Sequence, residues 1–292
     1  MLWILSLTTI LSRISYWACF ESAAGHFSGR YIRPIIGFCF DLAGAIYRVD
    51  GCRFKIPAHL TDRNYRSAFV LDEYEKGERE LIRSFIEADD RVIELGGCIG
   101  VLSCLVNSRL KSPVRHLVVE ANPVLIPILN FHRRLNRAGF KIEHCGVSPH
   151  PEVSFAVHPL MTHGRVHVNG AQANGSEPPI RISGKSLKNL HEEHGPFNAL
   201  LIDVEGSELE ILRSSRTVLL EYRLVIIELH QEVLGTAGLE ECRRILASAG
   251  LERSAVIQSA EAWTRPRKSN CSPFSGGRSR RPRTFEYANH YA

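Results

Sequence analysis

The sequence predicts an α/β fold: a mainly parallel sheet with helices on both faces. Three observations lead there. Short, unbroken apolar runs alternate with longer amphipathic stretches, the order expected when a crossover helix follows each buried strand. The apolar runs end in polar residues, and ligands of such sheets bind outside the carboxyl ends of the strands. One run, Val92-Ile93, stops at Glu94 and is followed by Gly96-Gly97-Cys98-Ile99-Gly100. Three glycines within five residues imply a backbone that turns sharply or approaches a ligand closely.

The elements follow in chain order. Met1–Leu11 (MLWILSLTTIL) is apolar but stops before Ser12 and Arg13. It lacks the basic start of a secretory signal and the roughly 20 apolar residues of a membrane-spanning helix. Pro34–Ile46 is a second short apolar stretch and contains Asp41. Both read as helices covering a hydrophobic edge of the main domain, with peripheral membrane contact as the alternative. Tyr47–Ile56 alternates around Asp50-Gly51, which signals a hairpin. Tyr74–Ala88 carries Leu81, Ile82, Phe85 and Ile86 at helical spacing. Strands are then expected at 91–94, 116–120, 141–147, 197–203 and 223–228, and helices at 101–110, 123–138, 207–214 and 239–250. Residues 153–182 are rich in Gly, Asn, Pro and His and read as a long loop or irregular hairpin beside the site. Residues 252–257 make a further strand. Thr284–Tyr291 (TFEYANHY) alternates enough to be the last one, with 263–283 as the connection.

Composition narrows the class. A net charge of +5 is ordinary, and Arg278, Arg280, Arg281 and Arg283 sit together in a Gly/Ser/Pro-rich tail. No aromatic-interleaved basic surface accompanies them, so the tail reads as solvated and no nucleic-acid partner is expected. The eight cysteines form no CxxC pair and no zinc-ligand spacing. They read as small buried hydrophobes in a reducing, cytoplasmic setting. Three regions result: a helical segment at 1–46, the main domain at 47–262 and a basic tail at 263–292, which could contain the last strand.

The strand ends carry the chemistry. Glu94, Glu120 and Asp203 terminate successive apolar runs, and Glu228 and His230 follow the next. Glu120 stands twenty residues after Gly100, where a carboxylate accepts both hydroxyl hydrogens of an adenosine ribose. That suits NAD and S-adenosylmethionine equally. The glycines decide between them: Gly96-Gly97-x-x-Gly100 is not the G-x-G-x-x-G of a dinucleotide site. Glu94 would repel a pyrophosphate and suits a ligand bearing an ammonium group. The sulfonium cofactor is favoured.

The ordered blocks VIELGGCIGVLS, HLVVEANPVLIPILNFHRRLN, ALLIDVEGSELEILRSS and LVIIELH resemble the FkbM family of S-adenosylmethionine-dependent methyltransferases. The resemblance covers roughly Tyr74 to His230. Its most specific piece is Ile202-Asp203-Val204-Glu205-Gly206, followed by Glu208, which matches the family's I-D-V-E-G-x-E segment. The family's D-x-G-A-N-I-G loop is altered here, with Glu94 for Asp, Gly97 for Ala and Cys98 for Asn. Ala121 stands where the family has proline.

The resemblance implies a Rossmann-like, class I methyltransferase sheet of seven strands and methylation of a hydroxyl on a sugar, glycan or natural product. Glu94, Gly96, Gly97, Gly100, Glu120 and Asp203 are expected to bind the cofactor. His230, whose ordinary pKa lies near neutrality, is the first expectation for the base that takes the acceptor's proton, and Asp203 the second. Asp203, Glu205, Glu228 and His230 could gather around a divalent ion. Glu205 and Glu208 read more simply as acids complementing a helix N-terminus, and no metal is expected. The competing readings are a binding module that keeps the fold without turnover, and an NAD-type Rossmann protein.

Overall fold

The computed structural model describes residues 29–157, 165–167 and 179–266. Met1–Leu11, the arginine-rich tail and Thr284–Tyr291 lie outside the described residues.

Helix α1 (Gly29–Leu42) precedes a hairpin, β1 (Ile46–Val49) and β2 (Cys52–Lys55), which turns at Asp50-Gly51 as expected. Helix α2 (Arg63–Val70) starts where the Asp62 carboxylate accepts the Tyr65 N–H at 2.7 Å. Helices α1 and α2 cross closely, because a Cβ on Gly37 would overlap the Arg63 carbonyl. Buried Phe40, Tyr47, Phe54, Phe69 and Tyr74 form one cluster under them. The apolar stretch around residue 40 therefore covers a domain edge. Among the described residues no helix is long and apolar enough to cross a membrane.

Helix α3 (Lys76–Phe85) leads into the main sheet. Its strands are β3 (Val92–Leu95), β4 (His116–Glu120), β5 (Lys141–His144), β10 (Ala199–Ile202), β11 (Leu224–Glu228), β12 (Glu252–Ile257) and β13 (Ala260–Thr264). Their spatial order is β12-β13-β11-β10-β3-β4-β5. The pairs β10/β11, β10/β3, β3/β4 and β4/β5 are parallel, whereas β13 runs antiparallel to both β11 and β12. Seven strands, mainly parallel, were expected. Among the described residues the seventh strand is Ala260–Thr264, within the stretch read in part as a connection. A tight turn after Ile257, with Gln258 at φ 57°, folds the chain straight back beside β12.

Strands β3, β4 and β10 are buried along their whole length, which explains their unbroken apolar runs. Helices α6 (Leu187–His194), α7 (Glu208–Ser214) and α8 (Gln231–Ser248) cover one face through Leu190, Leu212, Leu239 and Leu246. Helices α3, α4 (Val101–Arg109) and α5 (Ile126–Leu135) cover the other through Leu81, Leu105 and Leu129.

Residues 141–147 do not form one strand. β5 stays in the main sheet, while β6 (Gly146–Val147) joins β7 (Glu152–Ala156), β8 (Arg165–His167) and β9 (Ile180–Lys185) in a second sheet of order β6-β9-β7-β8. The β7/β8 and β7/β9 pairs are antiparallel, so the weak-signal region holds a hairpin-like sheet. Helices α2 and α6 were not anticipated because each is only eight residues long. Asp62 and Ser186 are their N-cap signals in the sequence.

Candidate functional site

The parallel strands β3, β4, β10 and β11 end side by side and open on a cavity of about 340 Å³. That is the crevice where such sheets bind ligands, and its size suits a small-molecule site.

The loop after β3 forms its floor. The N–H groups of Gly96 and Gly97 both donate to the Val119 carbonyl, at 2.9 and 3.1 Å, while the Asp203 N–H donates to the Leu95 carbonyl at 2.9 Å. The loop is thus clamped between the ends of β4 and β10. Gly96 has φ 95°, and a Cβ there would overlap the Asp203 carbonyl oxygen. Only glycine allows that approach. Of the three glycines, Gly96 alone lines the cavity. Gly97 presses on Val118 and Leu129, and Gly100 caps α4 at φ 86° against Leu129. Both shape the loop from behind, a correction to their expected direct part in cofactor binding.

Glu120 ends β4 inside the cavity. One carboxylate oxygen accepts the Cys98 N–H at 2.7 Å and the other the Asn122 N–H at 2.6 Å. Burial pushes its pKa up to about 7, against the opposing effect of those backbone donors. Backbone donors on both oxygens fix the side chain in the cavity wall. Cys98 lines the wall as well. Burial, and then the charges of Glu75 and Glu120, raise its thiol well above its ordinary pKa, so it is inert.

Glu94 is not part of this wall, contrary to expectation. Strand alternation puts it on the face of Val92, under α4, and its carboxylate accepts from Ser103 Oγ at 2.7 Å. Its other oxygen lies 3.0 Å from His116 Nε2, and both residues are buried. Both oxygens are occupied inside the core, leaving nothing to meet a cofactor ammonium.

The opposite end of the cavity is crowded with acids. Asp203 follows β10, Glu228 ends β11, and Glu75 and Glu78 come from the start of α3. Glu205 completes the group. Burial, then Glu228 and Glu205, raise the Asp203 carboxyl well above its ordinary pKa. Burial, with Glu228 adding to it, lifts Glu78 to about 7. Asp203 Oδ1 and Glu75 Oε2 are buried without a hydrogen-bond partner.

Behind these acids stands His230. Its Nδ1 lies 2.7 Å from Glu208 Oε1, and Glu208 is itself fully buried and accepts the Gly206 N–H. Nε2 faces Glu205 at 3.4 Å and Asp203 and Glu228 at 3.8 Å each. Burial opposes the charge on His230, but Glu208, Glu205 and Glu228 outweigh it and lift the pKa to about 9. At neutral pH the ring is an imidazolium among carboxylates, and it does not line the cavity. A ring already protonated cannot take a proton, which corrects the expectation that His230 is the base. Asp203, Glu228 and His230 also come near enough to offer one atom each to a metal ion.

Strain collects here. Glu75, Cys98 and Glu205 have φ of 47°, 44° and 53°, in the left-handed region that side chains other than glycine avoid, and all three line the cavity. Such outliers gather at functional sites. The sequence reading missed Glu75, Glu78, Tyr65, Asn122 and Gln258, all on the wall. Glu75 and Glu78 sit three apart at a helix start, a spacing that puts them on one face.

No protein-family model matches the chain. It is 28% identical to hexuronic acid methyltransferase AglP of Haloferax volcanii over 162 residues, which cover 54% of this chain and 64% of that protein. The chain thus spans less than two-thirds of the relative's length. Among solved structures it is similar to fibrillarin of Aeropyrum pernix with bound S-adenosylmethionine (15% identity, 64% of this chain and 72% of that one, TM-score 0.35). It is similar to precorrin-6y C5,15-methyltransferase of Geobacter metallireducens (9% identity, 63% and 83% covered, TM-score 0.39). A third is the tRNA (uracil-54, C5)-methyltransferase of Pyrococcus abyssi in complex with S-adenosylhomocysteine (8% identity, 75% and 43% covered, TM-score 0.41).

Proposed function

We propose that the chain is an S-adenosylmethionine-dependent methyltransferase acting on a hydroxyl of a sugar, glycan or similar natural product. The observation that carries this reading is one cavity with two chemically different ends: a backbone-held Glu120 beside the Gly96 loop, and Asp203 among acids at the end of β10, across β3. The resemblance to FkbM proteins and the relative named for hexuronic acid point the same way.

The residues fit the cofactor. Glu120 lines the cavity as a carboxylate, the group that accepts ribose hydroxyls. Leu125, Val119 and Val147 offer apolar wall for a base, and the bare Gly96 backbone lets a ligand lie close. When bound, the cofactor supplies a methyl group already activated by its sulfonium charge.

The chain's own work is then positioning and proton removal. Good positioning lowers a barrier by roughly 7–11 kcal/mol. Asp203 is the proton acceptor in this reading. Burial and the neighbouring Glu228 and Glu205 raise its carboxyl above the ordinary range, and a carboxylate so raised is a stronger base than an ordinary one. His230 is a positioning residue: its imidazolium, fixed by Glu208, holds Asp203, Glu205 and Glu228 around one point. The test is methyl transfer from isotopically labelled S-adenosylmethionine to a panel of glycosides, with the product located by mass spectrometry. Label on a sugar oxygen supports the reading; label only on nitrogen or carbon acceptors removes the O-methylation assignment.

A further inference from the structure

Helix α1 has a second face that the domain does not cover. None of its residues lines the cavity, and its role is independent of methyl transfer. On the inner side Ile36 and Phe40 are buried, as suits a helix that closes a domain edge. The outer side is apolar too. Ile32, Ile35, Phe38 and Leu42 recur at helical spacing and all are exposed, Ile35 by 61% and Leu42 by 68%. Half-buried Cys39 falls among them at the same spacing. Between residues 32 and 42 the only charged side chains are Arg33 and Asp41, and both are engaged. Arg33 meets Glu73 at 2.8 Å, and Asp41 pairs with Arg66. Single exposed apolar side chains are ordinary, but a continuous stripe of them marks a contact surface. A helix apolar nearly all round belongs in a core or against lipid.

What covers the stripe follows from its surroundings. The apolar surface continues past the helix: exposed Phe131 of α5 lines, with Pro57, Ala58 and Ile128, a groove that reaches Asp41. Positive charge flanks it. Lys55, also on the groove, donates to the Gly44 carbonyl and pairs with no carboxylate among the described residues. The Arg63 guanidinium lies 4.9 Å over the Phe38 ring. Its ion-pair partner Asp41 is 3.9 Å away and already held by Arg66. Acidic headgroups complement such a rim.

The sequence ahead of α1 has the same character. Residues 1–28 contain Trp3, Tyr16, Trp17, Phe20 and Phe27, and their only charged residues are Arg13 and Glu21. Tryptophan and tyrosine favour the boundary between water and lipid. At helical spacing the apolar residues of 1–11 would fall on every side. Such a segment laid over α1 would leave its own far side bare, whereas a bilayer takes up both.

We propose that the outer face of α1 docks on the surface of a bilayer containing anionic phospholipid. Ile32, Ile35, Phe38 and Leu42 enter the boundary between headgroups and acyl chains, and Arg63 and Lys55 meet the headgroup phosphates. The helix lies in the plane of the membrane.

The test is flotation of the full chain with vesicles of phosphatidylcholine alone and of phosphatidylcholine mixed with phosphatidylglycerol. The chain should float with the mixed vesicles and several-fold less with the neutral ones. The double variant Ile35→Glu/Leu42→Glu should lower the partition coefficient by roughly tenfold or more, with the melting temperature unchanged in the absence of vesicles. Arg63→Gln and Lys55→Gln should each lower it by roughly fivefold on the mixed vesicles and have no effect on the neutral ones. Flotation with neither vesicle, or flotation that the double variant keeps in full, overturns the proposal. A melting temperature that drops by many degrees in the double variant overturns it as well, because residues 1–28 would then cover the face in solution. So does a dimer in sedimentation equilibrium that the double variant dissociates, since the occupant would be a second copy of the chain.

Discussion

The two ends of the cavity hold carboxylates by opposite means. At one end, Glu120 lies against backbone donors, with the N–H groups of Cys98 and Asn122 on its two oxygens. At the other, Asp203 lies among Glu75, Glu78, Glu205 and Glu228, with one imidazolium behind them. Backbone donors fix a side chain without adding mobile charge, which suits a fixed contact to a cofactor. Crowded acids raise one another's pKa, which suits proton transfer. In the proposed reading, carboxylates at the ends of β4 and β10, on either side of β3, serve binding at one end and chemistry at the other.

The largest expected effect comes from removing the clamp between the two ends. Gly96→Ala puts a Cβ into the Asp203 carbonyl at a positive φ, so β3 and β10 cannot keep their register. Thermal unfolding should show a loss of about 3 kcal/mol or more, and cofactor binding should vanish. Retention of both would mean that the loop is not clamped as described.

Next comes the chemical end. Asp203→Asn should lower turnover by roughly 10²–10⁴-fold, the usual contribution of a general base, while cofactor affinity stays within a few-fold of wild type. Equal losses in binding and turnover would place Asp203 with Glu120 and erase the contrast. At the binding end, Glu120→Ala should weaken cofactor binding by about 2–3 kcal/mol, the range for charged hydrogen bonds, with little change in turnover at saturating cofactor.

How far the sequence foretold this contrast depends on what each residue touches. The central strands were legible because both of their faces are buried, so their apolar runs are unbroken. Glu120 was legible as a strand-end acid at nucleotide spacing from the glycine turn. Glu94 looked equivalent but was not. Its side chain falls on the α4 face of β3, where Ser103 and His116 take it up, and those partners lie on other elements. Glu75 and Glu78 escaped notice because they precede the first strand of the sheet, and only the tertiary fold brings α3 to the rim. The change in His230 from base to cation has the same origin. A lone histidine after a strand has a pKa near neutrality until Glu208, 22 residues earlier, is seen against its ring.

The smallest expected effect is on stability against pH. His230 has a pKa of about 9 in the fold against 6.5 as its ordinary value, so the folded state binds the extra proton. Its stabilising contribution is complete below about pH 6.5 and is lost as pH rises through 9. Glu78 and Glu120, raised from 4.5 to about 7, also lower stability as pH rises, but over the separate window from 4.5 to 7. Melting temperatures of wild type and His230→Gln should therefore diverge most at pH 6 and converge by pH 9 to 10. Parallel curves across that range would show that His230 is not the buried cation.

The central claim is that the Glu120 end of the cavity holds S-adenosylmethionine. Isothermal titration calorimetry of the wild-type chain with S-adenosylhomocysteine and with NAD tests it most directly, with Glu120→Ala as the control. The account predicts one-site binding of S-adenosylhomocysteine, no measurable heat with NAD, and a loss of roughly 30-fold or more in the variant. Binding of NAD instead, or S-adenosylhomocysteine binding that Glu120→Ala leaves unchanged, would contradict it.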